Sequence, residues 1–183
     1  RAGAGAGVGL GRACGRLGWN LAGQRCVVQG FGNVGGFAAT ELHDRGARVV
    51  AVSDISGGVH AEDGLDVPSL HAYVTENGSL EGYNFGVERV TNTELLELPC
   101  DILVLAALEE QITAENAPRV KARMIAEGAN GPTSLEADAI FVERGVPGLP
   151  DSLTNAGGVT VWYFDWVQDL GRLVWGRGGR RRT

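Results

Sequence analysis

The stretch from Arg25 to Asp54, RCVVQGFGNVGGFAATELHDRGARVVAVSD, leaves a chain few ways to fold. RCVVQG is a short β-rich run ended by glycine. NVGGFAATELHDRG then places Val34, Phe37, Ala38 and Leu42 on one helical face and stops at Gly46. ARVVAVSD is apolar without alternation, the pattern of a strand buried on both faces. Strand, glycine turn, helix and strand in this order make a βαβ unit, whose strands must run parallel.

Inside that unit Gly30, Gly32 and Gly35 form the spacing GxGxxG. Spacing alone says little here, because glycine makes up 29 of 183 residues, about 16% against a usual ~7%, and at that share about 0.7 such matches are expected by chance. Position supplies the meaning: the turn follows a strand and opens a helix, where backbone N–H groups can face a pyrophosphate. Gly30 would permit the tight turn, Gly32 the close approach of phosphate, and Gly35 the contact of helix with strand. Asp54 ends the second strand, 24 residues after Gly30 and 19 after Gly35. A carboxylate there is placed to accept hydrogen bonds from the adenosine ribose. It would repel a 2′-phosphate, which favours NAD; Ser53, Ser56 and a nearby arginine keep NADP as the alternative.

The rest of the chain continues the rhythm. SGGV reads as a turn, GLDVPSLHAYVTENG as a helix capped at Asp66 and stopped near Gly78, and the residues from there to about Val90 as a polar loop. TNTELLEL gives a helical turn capped at Thr91 or Thr93, and CDILVLAA another buried strand. TAENAPRV is a helical turn, ARMIAEGA a strand, SLEADAIFVERG a helix and VPGLP a last short strand. We therefore expect an α/β fold with a doubly wound, mainly parallel sheet, a Rossmann-like dinucleotide-binding domain over residues 1–175. Within it, residues 1–23 are a lead-in and residues 156–175 a C-terminal helix; residues 176–183 form a basic tail without regular structure.

Composition narrows the function classes. The longest apolar run, Ile102 to Leu108, is too short to cross a membrane, and no secretory signal is visible. Cys14, Cys26 and Cys100 form no CxxC pair and do not cluster with His43, His60 or His71, so no metal site is expected. Cys26 and Cys100 read as small buried hydrophobes in a reducing, cytoplasmic setting. The net charge of -6 conceals a split, with five arginines and no acid from Gly171 to Thr183. An exposed end explains that tail more simply than a nucleic-acid contact, and no basic stripe with interleaved aromatics lies elsewhere.

Asn130 in EGANGPTS and Asn155 in LPDSLTNAGG each follow a strand, at the edge where open α/β sheets bind ligands. Each offers a donor and an acceptor suited to a carboxamide such as nicotinamide. Acid–base machinery is missing: the one lysine, Lys121, sits in a surface-like setting, and no histidine has a partner pattern. No catalytic residue is expected in this chain.

The blocks VVQGFGNVG, VVAVSDISGG, LPCDILVLAALEEQIT, AEGANGPTSLEAD, LPDSLTNAGGVTV and YFDWVQ resemble, in that order, the coenzyme-binding domain of glutamate dehydrogenase, in the glutamate/leucine/phenylalanine/valine dehydrogenase family. The resemblance runs from about Val8 to Val174, and GFGNVG and EGANGPT look like the glutamate branch rather than the leucine or phenylalanine one. It implies that Gly30, Phe31, Gly32, Asn33, Val34 and Gly35 bind the pyrophosphate of NAD or NADP, and Asp54 the ribose. It further implies that Ala106 and Ala107 line the cofactor cleft and that Asn130 and Asn155 hold the nicotinamide end. The implied reaction is reversible oxidative deamination of L-glutamate to 2-oxoglutarate and ammonia, in hexamers of two-domain subunits. The domain that supplies the family's catalytic lysine and aspartate is not found in these residues, so the chain by itself is expected to bind cofactor without turning over glutamate. Trp162 stands where the family has a serine that helps hold the substrate's side-chain carboxylate, and Ala4 or Gly5 where it has a threonine near the nicotinamide. A non-catalytic NAD(H)-binding or sensing module, or a leucine/phenylalanine dehydrogenase-like relative, is the alternative reading.

Overall fold

The central parallel strands of this chain have apolar middles, residues 26–28, 49–52 and 102–105, because both of their faces are covered. The computed structural model describes residues 20–149. Its strands are β1 (Arg25–Gln29), β2 (Arg48–Asp54), β3 (Gly57–His60), β4 (Glu88–Val90), β5 (Ile102–Leu105), β6 (Met124–Glu127) and β7 (Gly148–Leu149). Its helices are α1 (Asn33–Asp44), α2 (Val67–Asn77), α3 (Asn92–Leu96) and α4 (Leu135–Arg144), with a single 3-10 turn at Ala117–Arg119. The seven strands form one sheet in the order β4-β3-β2-β1-β5-β6-β7. Residues alternate between its faces: Cys26, Val28, Ile102 and Val104 join α1 and α2 in one core. Val27, Leu103 and Leu105 join α3 and α4 in the other. Side chains buried as completely as Leu42 and Leu103 contribute about 2 kcal/mol each.

The expected doubly wound sheet is present, and β1, β2, β5, β6 and β7 run parallel. Two expectations need correction. SGGV is not merely a turn: Gly57–His60 is a strand, antiparallel to β2, with Val59 opposite Val52. The polar loop likewise ends in β4, antiparallel to β3. Neither segment is rich in β-formers, so their strand character comes from pairing, β3 with the edge of β2 and β4 with β3, which local propensity does not encode. Gly58 makes that pairing fit, since a Cβ there would lie 2.9 Å from Val90 Cγ2.

Helix ends follow the sequence closely. Asp66 caps α2 by accepting from Ser69 N–H, and Gly78 ends it at φ 81°. The choice left open at α3 falls to Thr91, which forms a reciprocal capping box with Glu94. The readings that fall on residues 1–19 and 150–183, Asn155 and Trp162 among them, lie outside the described residues.

Cys26 and Cys100 are buried, as expected. Burial, with Asp101 adding to it, pushes the Cys100 thiol up to about 12, so it stays protonated near neutral pH and is a poor nucleophile. Maleimide labelling followed by peptide mapping should leave both thiols unmodified in the native chain and modify both in urea. Native labelling of Cys100 at a rate within about tenfold of the unfolded one would contradict its burial.

Candidate functional site

The register of the central strands fixes where a ligand can be met. Gln29 is level with Ser53 and with Leu105, and Leu105 is level with Glu127. The next residue of each strand, namely Gly30, Asp54, Ala106 and Gly128, therefore stands on one edge. β1 leads through α1 to β2 on one side, whereas β5 lies on its other side. The crevice between the ends of β1 and β5 is thus the switch point at which such sheets bind ligands.

The glycine turn is built for close contact there. Gly30 has φ 89°, and a Cβ on it would lie 2.7 Å from Ala106 O and 2.9 Å from Ala107 N. Gly35 brings α1 directly onto the turn. Gly32 differs from both, because a Cβ on it would meet nothing within 4 Å. It is the N-cap of α1, with no side-chain cap and no acid in the first turn. The other three described α-helices are all capped by a side chain. The first N–H groups of α1, at the positive end of its dipole, are therefore left to an outside acceptor. Gly32 and Asn33 are exposed, while the Phe31 ring is buried edge-on to His71 at 6.4 Å. Phe31 can thus serve a ligand through its backbone only.

Val34, Ala106 and Gly128 close the crevice floor: a Cβ on Gly128 would lie 3.3 Å from Val34 Cγ1 and 3.4 Å from Ala106 Cβ. The loops after β5 and β6 are tied together, with Glu110 N–H donating to Gly131 O and Ile112 N–H to Pro132 O. That pairing carries exposed Asn130 to the same edge as Ala106 and exposed Ala107.

Asp54 sits at the end of β2, but its carboxylate already has partners. Oδ1 accepts from Ser56 N–H at 2.7 Å and from Ser56 Oγ–H at 2.6 Å, and Oδ2 accepts from Leu80 N–H at 2.6 Å. Ser53 cannot reach a cofactor phosphate as the NADP alternative supposed: it is 2% exposed, and its Oγ accepts from Gly30 N–H under the turn. Sequence reasoning also missed Gln29. This side chain is 1% exposed, and its Nε2 donates to Asn92 Oδ1 at 2.9 Å and Gln111 Oε1 at 2.7 Å. It ties the loop beyond Ala106 to α3. A polar residue closing an otherwise apolar strand was the one available signal.

A groove of about 480 Å³ runs between α1 and α2 and reaches the glycine turn: Phe31, Gly32 and Asn33 line it together with Phe37, His71 and Thr75, whereas Ala106 and Asn130 do not. Lys121 is exposed. No group of three or more potential metal ligands occurs among the described residues, and no helix among them is long and apolar enough to cross a membrane.

Comparison with known proteins bears on this geometry. The glutamate dehydrogenase of Thermotoga maritima is 56% identical over 150 residues, 81% of this chain and 36% of the relative. The catabolic NAD-specific glutamate dehydrogenase RocG of Bacillus subtilis is 47% identical over 160 residues, covering 87% and 37%. The NADP-specific glutamate dehydrogenase A1 of Halobacterium salinarum is 50% identical over 149 residues, covering 81% and 36%. The chain thus spans little more than a third of the length of these curated relatives. Its fold matches that of the hetero-hexameric glutamate dehydrogenase of Thermus thermophilus with a TM-score of 0.76 and 37% identity, over 93% of this chain and 40% of that one. The model for glutamate/leucine/phenylalanine/valine dehydrogenases matches residues 2–180. With nearly its whole length under that match, and with the glycine turn, the strand order and the two loops in the arrangement just described, the chain belongs to the glutamate/leucine/phenylalanine/valine dehydrogenase family.

Proposed function

We propose that this chain is the dinucleotide-binding part of a glutamate dehydrogenase-like oxidoreductase, which deaminates L-glutamate reversibly to 2-oxoglutarate and ammonia. One observation carries the reading. The N-terminus of α1 has no side-chain cap and no acid in its first turn, and it opens at Gly32 beside the β1–β5 crevice. In this reading the turn from Gly30 to Gly35 holds the pyrophosphate of NAD or NADP through the free N–H groups of α1. Asp54 lies at the ribose end, where its three hydrogen bonds leave room for one more donor. Ala106 and Ala107 wall the cleft, and Asn130, with Asn155, orients the carboxamide. The nicotinamide, when bound, supplies the hydride acceptor or donor; the residues here bind it, orient it and keep the crevice narrow.

The acid–base groups and the clamp for the substrate carboxylates belong, in this reading, to a separate domain. The intact protein is then a cytoplasmic hexamer of two-domain subunits that holds its substrate between the domains. Trp162, in place of the family's serine, favours a second reading in which the amino acid taken carries an apolar side chain, as in the leucine and phenylalanine enzymes.

Titrating the chain with NADH and NADPH, followed by nicotinamide fluorescence, tests the site. Saturable binding with a Kd on the order of micromolar to millimolar is expected, with no reduction of NAD on adding L-glutamate. Absence of binding of both cofactors at millimolar concentration would overturn the proposal.

A further inference from the structure

The hydrogen bonds around Asp54 form a clamp with two jaws. Asp54 takes the N–H groups of Ser56 and Leu80. Arg89, one residue before the end of β4, takes the carbonyls of the same two residues: Nη2 donates to Ser56 O at 2.8 Å and Nη1 to Leu80 O at 3.0 Å. Ser56 and Leu80 are thus each held twice, by an anion at the nitrogen and a cation at the oxygen. This arrangement locks the β2–β3 hairpin onto the segment that follows α2.

To exclude a 2′-phosphate, the carboxylate at the end of β2 must face the ribose with open lone pairs and no compensating charge. Asp54 does not meet that description. Three of its roughly four acceptor directions are filled, and its charge is opposed across the same two residues by Arg89. The guanidinium in turn has no carboxylate within ion-pairing distance among the described residues. Two of its five N–H donors reach carbonyls, which leaves three for a ligand. Arg89 is exposed, and Ile55 beside the clamp is fully so.

Building on the dinucleotide site proposed above, we infer that Asp54 is a positioning residue for the hairpin rather than a gate against phosphate. Arg89 is the counter-charge that lets the ribose edge accept a 2′-phosphorylated dinucleotide alongside the unphosphorylated one.

Direct binding of NADH and NADPH to the full chain tests this without any need for turnover. The two affinities should lie within about tenfold of each other, the NADPH affinity falling more steeply with added salt. Arg89→Gln should weaken NADPH by about tenfold or more while changing NADH by less than about threefold, and Arg89→Lys, which keeps the charge, should restore most of the NADPH affinity. Circular dichroism melts of both variants establish that they fold. NADPH weaker than NADH by more than about tenfold in the unaltered chain would overturn the inference, as would equal weakening of both cofactors by Arg89→Gln, because Arg89 would then serve the hairpin alone. Loss of both cofactors from the unaltered chain is a different result, which removes the dinucleotide site itself and the inference with it.

Discussion

Replacing Gly35 with alanine should destabilise the fold by about 3 kcal/mol or more, although helix propensity by itself predicts a gain of about 1 kcal/mol from the same change. The two effects oppose each other, and the geometry decides between them. A Cβ at Gly35 would overlap Gly30 O and lie 2.7 Å from Gly30 C. Those are backbone atoms of the turn, so no side-chain rotation relieves the clash. Relief requires α1 to lift away from the sheet, and α1 carries Ala38, Ala39 and Leu42 into the core. Overpacking that can be relieved only by moving a helix lies at the costly end of such substitutions. Gly36 supplies the control from the next position of the same helix. A Cβ there would meet Phe31 O at 3.8 Å and His71 Cδ2 at 3.9 Å, ordinary contacts, so Gly36→Ala should be neutral or stabilising by up to about 1 kcal/mol. Urea melts of the two variants read the contrast directly. If Gly35→Ala melted at or above the unaltered chain, the helix and the turn would not be packed as described.

That contrast also marks what the sequence made readable. The βαβ unit was readable because each of its elements agrees with its tertiary role: buried runs at β1 and β2, one apolar face on α1, a glycine stop at Gly46. The cap at Asp66 was readable for a related reason, since a cap is decided within a few residues, and at α3 the choice narrowed to Thr91 or Thr93. β3 and β4 were hidden because Gly57–His60 and Glu88–Val90 become strands only through pairing with partners. The site divides along the same line. Gly30, Gly32 and Gly35 could be picked out from spacing and frame. The clamp on Asp54 could not, because Leu80 and Arg89 lie 26 and 35 positions further along the chain and are brought to it by the hairpin and the loop after α2. A residue type at the end of a strand suggests a ligand, but what its lone pairs already hold is a property of the fold.

Gly32→Asp is expected to separate binding from stability. Gly32 has φ -80° and ψ -158°, a conformation open to any L residue, and its Cβ would point into empty space. Aspartate is among the best N-caps. Its carboxylate would take the N–H groups that α1 now leaves free and would sit at the positive end of the dipole, so the variant should be as stable as the unaltered chain or more stable by about 0.5 kcal/mol. The same carboxylate would stand where the proposed pyrophosphate lies, occupying its donors and opposing its charge. NADH and NADPH affinity should therefore fall by about a hundredfold or more. Few substitutions are predicted to stabilise a helix and weaken a ligand by competing for the same N–H groups. A conformational explanation for lost binding would require lost stability as well, which is what makes the pair of measurements decisive. A melt at or above that of the unaltered chain together with undiminished NADH binding would move the pyrophosphate away from the end of α1. A higher melt with binding lost would place it there.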